Sequence, residues 1–235
     1  MARRLAWGLL VLLAFAISLL VHAPARLLAG PLAPAWMASA WGGSVLAGES
    51  RGSVSGEPLT LGWQWHAQAL AGAALALDLR ARGGLTADAH VRVTPLSRTL
   101  DLDQLALTSA LASRLLPGSQ LPAWRGQGLA LARTRAGWSS ASGSLRSPGG
   151  PVRLNLQGQV HELNLPPAVL RLSVREHDLV IDLRQQEGDA ALATVSLLAS
   201  QRIQWQVRDR LLRLKPGYVS QNDPDLVVLT VSEPL

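Results

Sequence analysis

From Leu75 to Val93 apolar and polar residues alternate almost without interruption, and a Gly-Gly pair sits between the two halves of the pattern. Leu75, Leu77, Leu79 and Ala81 interleave with Ala76, Asp78, Arg80 and Arg82; Leu85, Ala87, Ala89, Val91 and Val93 interleave with Thr86, Asp88, His90, Arg92 and Thr94. A period of two sends successive side chains to opposite faces, so each run reads as a strand with one apolar and one polar face. Gly83-Gly84 supplies the backbone freedom that a tight reversal needs, and the segment reads as a β-hairpin.

The habit recurs along the rest of the chain. It returns at Leu100/Leu102, Leu129/Leu131 and across Val152, Leu154, Leu156, Gly158 and Val160. It continues at Leu170/Leu172/Val174, Leu179/Ile181/Leu183, Val195/Leu197, Ile203/Trp205/Val207 and Leu226/Val228/Thr230. The phase slips between Leu102 and Leu105 and between Val160 and Leu163, which predicts a bulge or sharp bend at each place. One stretch has helical spacing: Leu107, Leu111 and Leu115, stopped by Pro117-Gly118. Turn-rich breaks fall at Ser139–Pro151, which could divide two half-domains, and at Pro166-Pro167.

Alternation of this kind marks antiparallel sheets with a solvated side. The apolar faces need a second sheet, closure into a barrel or a sheet curved around its own interior. The expected fold is mainly β: an antiparallel curved sheet or a β-sandwich-like domain, with at most one short helix.

The N-terminus has a different character. Leu5 to Val21 is an uncharged run that includes Leu12 and Phe15, preceded by Arg3 and Arg4, with Trp7 near its start. It meets the lower limit of roughly 17–25 residues for a helix crossing a ~30 Å hydrocarbon core. Arg3 and Arg4 keep the tip in the cytoplasm and send the remainder across. A cleavable signal peptide is the competing reading, with Val21-His22-Ala23 as its site, but Pro24 directly after it hinders cleavage. An uncleaved anchor is favoured. The organisation expected is a cytoplasmic tip at 1–4, an anchor at 5–21, a proline-broken spacer at 22–40 and a periplasmic β domain at 41–235. This predicts a single-pass protein of the cell inner membrane.

Of the 235 residues none is cysteine, so thiolate nucleophiles and thiolate metal ligands are absent. The net charge is +6, carried almost wholly by arginine, with Lys215 the only lysine. Nucleic-acid binding wants basic clusters beside stacking aromatics. Here the arginines are dispersed and Tyr218 and Phe15 are the only tyrosine and phenylalanine. Nucleic acid is not an expected partner.

Catalytic motifs are equally sparse. His22, His66, His90, His161 and His177 include no pair at the three-to-five spacing of a zinc site. His90 and His161 fall on polar strand faces and read as solvated. Asp101/Asp103, Asp178/Asp182 and Asp223/Asp225 lie on polar phases or in turns, whereas catalytic carboxylate pairs need partial burial to separate their pKa values. Gly52-Ser53-Val54-Ser55-Gly56 lacks the G-x-S-x-G order, and no lysine follows Gly42-Gly43-Ser44. No catalytic residue, cofactor or metal is expected.

Tryptophan is used more than the other aromatics. Trp41 opens the strand pattern, Trp63 and Trp65 share one face of a strand, and Trp138 follows a later run. Each is either a core residue, the favoured reading, or part of an exposed aromatic patch for a partner.

The layout resembles the type II secretion system protein N family of Gram-negative bacteria. The matching parts are the short tip and anchor, the entry Trp41-Gly-Gly-Ser-Val, then Leu59-Thr-Leu61-Gly-Trp63, and Gly128-Leu-Ala-Leu131 followed by Trp138 and Gly143. The tail, with Trp205, Pro216-Gly217-Tyr218 and Asp223-Pro-Asp225, departs from it. The resemblance implies an accessory inner-membrane component without catalytic residues, neighbouring the inner-membrane protein C and the outer-membrane secretin. A second reading is an AsmA-like periplasmic protein whose apolar β face holds lipid. The last strand, Leu226 to Val231, is a candidate edge for a partner strand, although pairing within the domain is favoured.

Overall fold

The computed structural model describes residues 24, 40–54, 56–66, 74–114, 118–156 and 159–234. The anchor residues Leu5, Trp7, Leu12, Phe15 and Val21 and the flanking Arg3 and Arg4 lie outside the described residues. Among the described residues no helix is long and apolar enough to cross a membrane.

The domain is mainly β, built on one large antiparallel sheet. Its first eight strands run β1 (Ala40–Gly43), β2 (Ala47–Val54), β3 (Glu57–His66), β4 (Leu75–Gly83), β5 (Leu85–Val93), β6 (Ser97–Leu107), β7 (Trp124–Thr134) and β8 (Gly137–Ser147). After a hairpin of β9 (Gly150–Leu156) and β10 (Gln159–Leu165), the sheet resumes with β11 (Ala168–Arg175), β12 (Asp178–Gln185), β13 (Ala191–Leu198), β14 (Arg202–Arg208) and β15 (Val227–Pro234). Thirteen strands stand in sequence order, and the β9–β10 hairpin forms a separate two-stranded sheet. Chain neighbours pair with one another at every step but one, where β11 docks on β8 and skips the hairpin.

The Gly83-Gly84 reversal forms as the pattern predicts, with Ala81 opposite Ala87. Gly83 adopts φ +123°, and a Cβ there would run into the Pro58 carbonyl oxygen, so only glycine fits. The phase slip at Leu102–Leu105 is a bulge: Asp88 faces Gln104 while the adjacent Ala89 faces Leu102. The slip at Val160–Leu163 is not. β10 pairs with β9 in unbroken register, and Val160 is 53% exposed while Leu163 and Leu165 are buried. Val160 simply lies on the outer face.

Two further expectations are corrected. The Ser/Gly-rich stretch from Ser139 is not a turn region, because β8 runs through it to Ser147. Small side chains fit there because the β7–β8 pairing is itself bulged, and a Cβ on Gly143 (φ +104°) would approach the Leu129 Cα to 2.8 Å. Among the described residues there are two short helices rather than one: α1 (Ser109–Arg114) and α2 (Asp209–Leu212). α1 starts two residues after Leu107, which still belongs to β6. α2 was hidden because its four residues are too few to show helical periodicity.

The core is concentrated on one half of the sheet. Val152, Leu163 and Leu165 of the hairpin pack with Trp124, Ala168, Leu192 and Val207 of the sheet and with Ala112 and Leu211 of the helices. This layer over β7–β14 holds the larger of the two buried clusters. Over the earlier strands Leu59, Ala81 and Ala87 form a smaller cluster, joined by the half-buried Leu61, Leu85, Leu102 and Leu105, all from β3–β6, and Trp63 and Ala89 are buried there too.

Candidate functional site

Strand register converts the alternation of β3–β6 into two distinct surfaces. On the apolar face Trp63 stands opposite Leu79, Trp65 opposite Leu77, and Leu79 opposite Ala89. Trp41 of β1 joins this face. Its ring centroid lies 5.7 Å from that of Trp63 at a 55° tilt, and the Trp63 Nε1–H donates to the Val45 carbonyl at 3.1 Å. Trp63 is thus a core residue, as expected, and Trp41 packs beside it. Trp65 is 38% exposed and Leu75 is 56% exposed, so this end of the face is open among the described residues. Trp138 lies apart on β8, half-buried, with the Arg133 guanidinium 5.5 Å above its ring.

On the polar face the register brings together residues far apart in sequence. Asp78 stands opposite His90. Its Oδ1 lies 2.7 Å from His90 Nδ1, and its Oδ2 lies 2.7 Å from His66 Nε2. His90 Nε2 lies 3.2 Å from Asp103 Oδ2. Ionised carboxylates only accept, so a protonated His90 donates to both Asp78 and Asp103 and links β4, β5 and β6. The Asp78 hydrogen bond raises its pKa above the ordinary 6.5 despite opposing desolvation. The reciprocal bonds from His90 and then His66 hold Asp78 below 3.8.

The bulge in β6 creates the neighbouring cluster. An extra residue turns both Asp103 and Gln104 to the polar face, so Asp103 reaches His90 while the Gln104 amide donates to Asp88. Arg82 donates to both Asp88 oxygens at 2.8 and 3.1 Å. The Gln104 and Arg82 bonds, in that order, depress the Asp88 pKa. Spacing in the sequence cannot reveal either cluster, since His66 and His90 meet across Asp78 through sheet register alone. His90 remains exposed on the polar face, as its strand phase predicts, and the register adds the two carboxylate partners.

Beside these groups a depression of ≈ 610 Å³ is floored by Gly42, Gly48 and Gly62 and flanked by Glu49, Thr60, Gln64, Arg80 and Arg82. Two smaller depressions border Asp78 and His90. Asp78, Asp88 and Asp103 along them are paired with His66, Arg82 and His90. Among the described residues no group of three or more His, Asp or Glu side chains is disposed to hold a metal ion.

The remaining carboxylates resolve into structural roles. Asp182 is buried rather than solvated, bonded to Arg184 at 3.0 Å, Arg175 at 3.3 Å and Thr194 Oγ1 at 2.8 Å. Asp178 accepts from the Ala199 amide, and Asp223 accepts from the Asp225 amide. Asp209, which the sequence reading passed over, is fully buried at the start of α2. It takes Arg213 Nε at 2.8 Å and the Tyr218 hydroxyl at 2.9 Å, and the Arg213 bond foremost lowers its pKa.

Both ends of the sheet carry an edge. β1 is four residues long, holds Gly42 and Gly43, and is followed by Ser44, which bridges to Pro24. β15 is eight residues long and pairs with β14 on one side. The last strand thus pairs within the domain, as favoured, and also leaves an edge unpaired among the described residues.

No family model, curated protein or solved structure matches the chain.

Proposed function

We propose that this protein is a non-enzymatic, single-pass inner-membrane component of the type II secretion machinery, contributing to export of folded proteins through periplasmic protein–protein contacts. Protein C and the secretin are its neighbours in this reading. The observation that carries it is the packing of Trp41 on Trp63. The Trp41-Gly-Gly-Ser-Val entry and the Leu59–Trp63 segment, which bear much of the resemblance, form one aromatic corner rather than scattered surface features. The Gly128–Gly143 segment supports the same reading, since its glycines serve the bulged β7–β8 pair. Polar clusters that are internally paired suit a rigid contact surface rather than a reaction centre. Deleting the gene in a strain that depends on this pathway reduces export of folded substrates, and crosslinking in membranes captures protein C or the secretin. Unchanged export overturns the proposal.

A second reading draws on a different observation. The apolar face of β3–β6 keeps Trp65 and Leu75 exposed and Leu61 and Leu102 half-buried, and its core cluster draws on those strands alone. An AsmA-like lipid-binding role uses such a face to shelter acyl chains. Mass spectrometry of protein purified in mild detergent separates the two: co-purifying phospholipid supports the lipid role, and its absence supports the scaffold.

A further inference from the structure

Arginines scattered along the sequence meet on one face of the sheet. Each directly follows a side chain of the larger core: Trp124-Arg125 on β7, Leu145-Arg146 on β8, Leu170-Arg171 on β11 and Leu183-Arg184 on β12. Neighbouring residues of a strand point to opposite faces, so these arginines stand on the face turned away from the β9–β10 hairpin. Register gathers them. Arg125 is directly opposite Arg146, Arg146 and Arg184 both flank Val169, and Arg171 is opposite Ser144 and Asp182. Arg125, Arg146 and Arg171 are exposed, with neither a hydrogen bond nor an ion pair among the described residues. β7, β8 and β11 contain no acidic residue. Asp182 is buried and already holds Arg175, Arg184 and Thr194. Like charges directly opposite in a ladder destabilise it, and no contact among the described residues offsets the Arg125–Arg146 pair.

We infer that this arginine face binds an acidic, extended segment of a partner protein. Guanidinium forks grip carboxylates through two oxygens at once. Arg125 and Arg171 are two strands apart and two residues out of line, about 12 Å in all. Carboxylates on alternate residues of an extended segment repeat every ~6.6 Å, so three in succession cover about 13 Å and meet the three unengaged guanidiniums. A bilayer surface is the poorer fit. Among the described residues no large exposed hydrophobic side chain lies on β7, β8, β11 or β12, so nothing apolar is placed to enter it. The inference uses only face, register and charge, and it stands or falls apart from the secretion reading.

The probe is a short fluorescent peptide alternating glutamate with serine, titrated by anisotropy against the full-length chain in nanodiscs of uncharged lipid. The wild-type chain binds it, does not bind the matching glutamine–serine peptide, and releases it as salt rises. Changing Arg125→Gln, Arg146→Gln and Arg171→Gln together weakens binding about tenfold or more, whereas Arg92→Gln, Arg98→Gln and Arg135→Gln together, which remove the same charge elsewhere, leave it within about twofold. Arg125→Glu sets opposite charges across the ladder, so it melts no lower than wild type and still binds the peptide several-fold less. The inference is overturned by absence of binding, by equal losses in the two triple variants, or by undiminished binding in Arg125→Glu. It is also overturned if phosphatidylglycerol vesicles bind this face more tightly than the peptide does, which makes it a membrane seat.

Discussion

His90 holds its Nδ1 atom 2.7 Å from Asp78 Oδ1, on the strand next to it and directly opposite in register. With Asp103 on its other nitrogen, His90 ties three strands together on the polar face. Its surroundings are mixed in charge: Asp78 and Arg80 on β4, Asp88 and Arg92 on β5, Asp101 and Asp103 on β6, and Gln64 and His66 on β3.

The cluster gives stability a defined pH dependence. His90 has its folded pKa raised above 6.5, so its contribution is complete below that value and disappears as pH rises through the folded pKa. Asp78 has its pKa lowered from 3.8, so its contribution is present above that value and disappears as pH falls through the folded one. The cluster therefore supports the fold best between about pH 4 and 6.5. The His90 side chain is 54% exposed, which limits the pair to ~0.2–1 kcal/mol, at most about 2–4 °C in Tm. Thermal unfolding at pH 5.5 and pH 8.5 should show His90→Gln losing more stability at the lower pH; equal losses at both contradict protonation of His90 at the lower pH.

Core truncations should separate the two halves of the sheet. Leu192 is fully buried under the hairpin and helices, and Leu192→Ala costs about 2–5 kcal/mol. Leu77 lies half-buried on the face of β3–β6, and Leu77→Ala costs only about 1 kcal/mol. Denaturant midpoints of the two variants measure the difference.

Turn chemistry gives changes of opposite sign. Glu176 and His177 join β11 to β12 with φ of 50° and 71°, a left-handed pair that ordinary side chains adopt at a cost. His177→Gly relieves it and stabilises by roughly 1 kcal/mol. Gly83→Ala, at φ +123° against the Pro58 carbonyl, destabilises by more than about 1 kcal/mol. The shift in Tm checks each.

Asp209 anchors the long connection between α2 and β15. Besides the Arg213 and Tyr218 bonds, the Asp209 amide donates to the Leu226 carbonyl, and Arg213 reaches the Asn222 carbonyl at 2.6 Å. Asp209→Ala leaves two donors without their acceptor. Limited proteolysis should then cut within 213–226 well before Tyr218→Phe, which removes a single bond, is cut there.

The strands were legible because a two-sided sheet imposes its period on every residue, and the Gly83-Gly84 turn and the Leu102–Leu105 bulge left marks of the same kind. Val160 misled because an exposed valine imitates a phase change. Ser139 to Ser147 misled because small residues serve a bulged strand as well as a loop. The polar clusters stayed hidden for a different reason. His66, Asp78, His90 and Asp103 belong to successive strands, so only the pairing register brings them together. Asp209 gave no signal beyond its charge, since its burial depends on a tail with no recurring pattern.

The strand order has a consequence for how the molecule assembles. When each strand pairs with the one made just before it, the sheet can lengthen in step with delivery of the chain, N-terminus first, with little search over distant segments. The exception is the docking of β11 on β8, which must wait until the intervening hairpin has turned back. That closure is the natural checkpoint of folding, and a stall there strands a finished N-terminal half with its growing edge bare.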